Sequence, residues 1–177
     1  MSGRTVLFLL RFAVLLFALA MVGCSSAGFT AADMVMGLTP PNDFHWTGQS
    51  VTLANPAQLS ARLGPDSEEL LKHNWRSSTF GQMASDQGTV MVAVHQLASK
   101  KDAAKVLAEN KYPQAERLKL GQEAYRWLDR AAAETIFFRR DSYFCQLTID
   151  SQEGQPVLEP IAAELDKLLA HRQLFFW

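Results

Sequence analysis

The residues with most latitude for nucleophilic or metal chemistry are two cysteines, Cys24 and Cys145, and four histidines. His45, His73, His95 and His171 stand singly, with no second histidine or cysteine at metal-ligand spacing, so no metal site is expected. His95 alternates with Met91 and Ala93 and reads as a half-buried residue on a sheet's second face. Cys145 shares a strand face with Tyr143, Leu147 and Ile149, the setting of a buried and inert thiol. Nucleophile elbows, Walker loops and Gly-x-Gly-x-x-Gly turns are absent, and no cofactor is expected. Acids such as Glu68, Glu69, Asp129, Glu134 and Glu164 could supply a hydrolytic pair, but sequence spacing brings no two of them together.

Cys24 has a different context. Arg4 and Arg11 precede an uncharged apolar run, Phe12 to Val22, which ends in Gly23-Cys24. That is the layout of a secretory signal, and the run is shorter than the ~20 apolar residues needed to cross a bilayer. Met21-Val22-Gly23-Cys24 resembles the cleavage box of bacterial prolipoproteins: a leucine-like residue, a small one, glycine or alanine, then cysteine. The resemblance implies cleavage before Cys24 and acylation of its thiol and new amine. Stable anchoring needs more than one acyl chain. Ser25, rather than aspartate, after the cysteine implies the periplasmic face of an outer membrane if the source has one.

The elements that would carry such a site follow from patterning. Residues 1–23 form the leader, 24–41 a lipidated N-terminus and short tether rich in small residues and closing at Pro40-Pro41, and 42–177 a single globular domain. Loss of the leader removes two arginines and no acid, moving the formal charge from −1 to −3. This balance argues against nucleic acid as a partner. Asn55-Pro56 opens a helix that Gly64 stops, and Asp66 or Ser67 opens a second through Leu70 and Leu71. Residues 89–97 alternate as a strand, and Ser99 with Asp102 starts a helix ending near Asn110. Strands over 117–120, 124–128, 135–139 and 142–150 are separated by connections too short for crossover helices, so they pair antiparallel. A helix beginning near Gln155 carries Leu158, Ile161, Ala162, Leu165, Leu168 and Leu169 on one face. The expected fold is α+β, an antiparallel sheet of about five or six strands with helices covering one face.

Leu59 to Gly64, Val90 to Val94, the helix through Ala103, Ala124-Tyr125, Phe137-Phe138-Arg139 and Tyr143-Phe144 follow an order that loosely resembles a family of uncharacterised secreted bacterial proteins; no activity transfers from it. The adjacent aromatic pairs Phe137-Phe138 and Tyr143-Phe144 place large rings on both sides of the sheet. Either helices or the N-terminal segment cover the second face, or an apolar groove stays open there. The terminal Leu174-Phe175-Phe176-Trp177 would dock on the domain, meet the membrane interface or engage a partner. These features point to a lipid-anchored, non-enzymatic envelope lipoprotein, bound to the membrane through Cys24 and binding an envelope protein or an apolar ligand. A hydrolase on an unfamiliar scaffold, or a structural assembly factor, are the alternatives.

Overall fold

The computed structural model of the chain describes residues 30–41, 43–129, 133–151, 153 and 155–172. Cys24, the leader and the Leu174 to Trp177 tail lie outside the described residues. From Ala31 onward the chain forms one compact unit. In order come α1 (Ala31–Met36), β1 (His45–Trp46), β2 (Val51–Leu53), α2 (Pro56–Leu63), a 3-10 turn (Gly64–Asp66), α3 (Ser67–Lys72), β3 (Trp75–Ser85), β4 (Gly88–Leu97), α4 (Lys100–Glu109), β5 (Glu116–Leu118), β6 (Glu123–Leu128), β7 (Glu134–Arg140), β8 (Tyr143–Ile149) and α5 (Gln155–Arg172).

The mixed α+β class and the antiparallel pairing agree with the sequence, but the sheet has eight strands rather than five or six. Its order is β1-β3-β4-β8-β7-β6-β5, and β2 pairs beside β1 on the outer side of β3. The added strands escaped detection for physical reasons. β1 and β2 have two and three residues, too few to show a period. β3 is long but mostly polar, Trp-Arg-Ser-Ser-Thr-Phe-Gly-Gln-Met-Ala-Ser, and contains a glycine. Gly81 is required by packing: a Cβ there would come within 2.6 Å of Val35 and 2.7 Å of Trp46, both of which lie against the strand.

Helices cover parts of both faces, not one. On the first face α1 and α5 close a core of Met34, Val35, Met83, Val92, Val94, Ile136, Phe138, Cys145, Leu147, Leu158, Ile161 and Leu165. The stretch read as tether therefore contains, from Ala31, a helix that buries Met34 and Val35 completely. Cys145 is buried in this core, and desolvation pushes its thiol well above the ordinary range. On the second face Leu59, Leu70, Ala103, Val106 and Leu107 of α2, α3 and α4 pack on Phe80, Leu97, Tyr125, Phe137 and Phe144.

Local signals set the helix ends. The Asn55 side chain accepts from the Ala57 N–H at 2.8 Å, Pro56 takes the first helical position, and Gly64 leaves α2 at φ +60°. Ser99 caps α4 by accepting from the Asp102 N–H at 3.1 Å. The β7–β8 hairpin turns at Asp141-Ser142, where Asp141 has φ 53°, a left-handed conformation that aspartate tolerates.

At the first face's edge three carboxylates surround one guanidinium. Arg126 Nε lies 3.3 Å from Glu134 Oε1, Nη1 3.7 Å from Glu116, and Nη2 against Glu159. Burial pushes the Glu134 carboxyl above its usual range; Arg126 opposes the shift, while Glu159 and Glu116 add to it. A raised carboxyl in the folded state means that ionised Glu134 costs stability above its folded pKa. The cost disappears as pH falls below the unfolded value of ~4.3. Glu134→Gln should raise the melting midpoint near pH 8 and leave it almost unchanged near pH 4; thermal melts with equal shifts at both pH values would refute this.

Candidate functional site

Alternation and register together lay out the second face as rows running across the strands. One row reads Ser78, His95, Phe144; the next Phe80, Ala93, Gln146, Phe137, Tyr125; the third Gln82, Met91, Thr148, Thr135, Trp127. The α2, α3 and α4 helices sit over the first row and part of the second. Beyond them no helix among the described residues covers the sheet.

Two clefts result, and they adjoin. One of about 430 Å³ is walled by Arg62 and Leu63 of α2 and floored by Phe80, Ala93, Met91 and Gln146. The other, of about 380 Å³, lies between Asp66 and Glu69 on one side and residues 109–113 on the other, over Phe137 and Phe144. Leu63, His95 and Gln146 line both, so together they make a continuous groove. Volumes of this size suit small ligands or short peptide segments. The first cleft is the more apolar, and within it Met91 is 56% exposed, a large hydrophobic left in water.

The groove walls are fixed by ring contacts. Arg62 lies over the Phe80 ring, its Cζ 4.4 Å from the centroid, and Lys111 Nζ stands equally 4.4 Å over Tyr125. Tyr112 stacks on Trp127 with centroids 4.1 Å apart, which holds the loop after α4 against the sheet.

His95 lies in the groove floor, buried where the sequence suggested half-burial. Its ring sits between Phe80, edge-on at 5.7 Å, and Phe144, stacked at 5.7 Å. Nδ1 is 2.6 Å from Ser78 Oγ, which accepts from Trp75 Nε1 at 2.7 Å. Desolvation by burial lowers the His95 pKa to about 3, so the imidazole is neutral at physiological pH. A neutral ring bonded to a fully buried serine orders the floor; Ser78 has no exposed surface from which to attack a substrate.

The remaining candidates are dispersed. His45 and His171 are exposed, and His73 Nε2 lies 2.9 Å from Glu109 Oε1 at the α3–α4 junction. Glu69 accepts from Asn110 at 2.8 Å beside the groove, whereas Glu164 binds Thr39 on the α5 side and Asp129 accepts from Ala133 at 3.0 Å. Glu134 meets Glu116 and Glu159, but around Arg126 on the opposite face of the sheet from the groove. Among the described residues no group of three or more histidine, cysteine or acidic side chains converges as metal ligands would. Arg62, Gln82 and Tyr112 carried no signal in the sequence that marks them as groove residues; the one available signal is Gln146, a polar residue between Cys145 and Leu147 on the side that is not fully covered.

Comparison of the chain with protein-family models, with curated proteins and with solved structures returns no match in any of the three.

Proposed function

We propose that this protein is a lipid-anchored binding module of a bacterial cell envelope, held on the membrane through Cys24 and working, without catalysis, through the groove on the second face of its sheet. The observation that carries the reading is the incomplete cover of that face among the described residues: three helices shield part of it and leave Phe80, Ala93, Met91 and Gln146 at the bottom of an open cleft. The leader and its Gly23-Cys24 junction support the anchor. An apolar ligand or a segment of an envelope protein fits the lining. The neutral His95, paired with buried Ser78, supports binding over hydrolysis.

Two experiments test the two halves of this reading. Cys24→Ala should abolish palmitate labelling and move the protein from the membrane pellet to the soluble fraction; retention of label would end the anchor proposal. For the groove, a photoreactive benzoylphenylalanine at Met91 should form adducts in cells that the same residue at exposed Lys119 does not. Adding Ala93→Trp, which fills the floor between Phe80 and Gln146, should remove those adducts. Adducts absent at Met91, or indifferent to Ala93→Trp, count against the site.

A further inference from the structure

We infer that the groove receives the carboxy-terminal end of a peptide in extended form, its terminal carboxylate seated on Arg62; this rests on the groove being the ligand site. Arg126, Arg139 and Arg140 each hold carboxylates of the chain itself. Arg62 makes no ion pair among the described residues. Its Cζ stands 4.4 Å from the centroid of Phe80 at the mouth of the apolar cleft. With no carboxylate of the described residues on it, the guanidinium keeps N–H groups that match a carboxylate with two parallel hydrogen bonds.

The floor separates a peptide from a fatty acid, the other anionic ligand an apolar cleft suggests. Gln82 and Gln146 line the cleft, and neither carboxamide has a side-chain hydrogen-bond partner among the described residues. Each offers a donor and an acceptor, the complement of a peptide group. A methylene chain laid over them would strip their water and return nothing, which is costly. Apolar side chains of the ligand meet Phe80, Ala93 and exposed Met91 instead. From β3 to β7 the row crosses three strand spacings, ~14 Å, or about four extended residues. Direction is set by charge: Asp66, Glu69 and Glu109 outnumber Lys111 around the far cleft, so a carboxylate is disfavoured there.

The test uses the full chain in detergent and a panel of fluorescein-labelled tetrapeptides built from alanine, valine, leucine and phenylalanine, each made with a free carboxylate and as the carboxamide. Anisotropy should show saturable binding of free acids, with the carboxamides at least about tenfold weaker. Arg62→Gln should bring the free acids down to the carboxamide level without changing the carboxamides, and Gln146→Leu should weaken both severalfold. Equal binding of acid and carboxamide overturns the inference. So does dodecanoate binding that depends on Arg62 and tightens in Gln146→Leu, which would make the ligand an acyl chain. If the panel fails while the Met91 adducts are still lost in Ala93→Trp, the peptide assignment falls and the groove stands. If the adducts are missing too, both fall.

Discussion

Phe138→Ala should destabilise the domain by ~3–5 kcal/mol and lower its melting midpoint by on the order of 10 °C. Phe138 is fully buried in the first-face core and is among the largest of the fully buried side chains. Truncation would leave a closed void between β7 and α5, because the surrounding side chains are pinned by a sheet on one side and a helix on the other. Its neighbour supplies the internal control. Phe137 points to the second face, stacks on Phe144 at 6.1 Å and lines the groove. Phe137→Ala widens a cleft that solvent already enters, so the loss should be smaller, about 2–3 kcal/mol. Urea melts of both variants check the difference; equal costs would mean that the second face is as tightly sealed as the first.

Asp166→Ala should cost about 2–4 kcal/mol, far more than removal of an exposed ion pair. Asp166 on α5 binds Arg140 with two parallel contacts, Nε to Oδ1 at 2.7 Å and Nη2 to Oδ2 at 2.6 Å. The same carboxylate accepts the Gly121 N–H at 3.2 Å. Gly121 has φ +57°, and a Cβ there would sit 2.5 Å from the Arg139 carbonyl oxygen, so the β5–β6 connection depends on this glycine and on the carboxylate that holds its amide. The hydrogen bond from Arg140 to Asp166 raises the Arg140 pKa, consistent with a well-formed pair. By contrast, Lys72 and Glu109 meet at 3.1 Å with the lysine side chain 65% exposed, and Lys72→Ala should change stability by no more than ~0.5 kcal/mol. Hydrogen exchange adds a spatial readout: Asp166→Ala should deprotect the amides of α5 and the β5–β6 connection while leaving the β3–β4 hairpin protected. Uniform deprotection would show that the pair is not a local clamp.

Patterning revealed some elements and hid others for reasons visible in particular residues. The Asn55 cap, the Pro56 start and the Gly64 stop bound α2 as expected, and Ser99 begins α4. The β6, β7 and β8 strands fall within a residue of their expected spans, since dense β-branched and aromatic alternation leaves little competition. α5 buries Leu158, Ile161, Ala162, Leu165 and Leu169 as its spacing required. The opposite holds for α1, whose six residues among small neighbours read as tether until Met34 and Val35 are seen under Gly81 and against α5. Nothing local distinguishes β3 from a polar loop; its eleven residues are a strand because β4 on one side and β1 and β2 on the other satisfy its backbone.

By itself the sequence determined the α+β class, the antiparallel pairing of the C-terminal strands and the burial of Cys145, because each is written in composition or in a period shorter than ten residues. It also required large rings on both sides of the sheet. Only the tertiary structure decided that α1 and α5 close one face while α2, α3 and α4 leave a groove on the other, with Arg62 brought to its edge. Alternation states which side chains share a face; what lies over that face depends on other segments of the chain, and packing between separate elements leaves no local period to read.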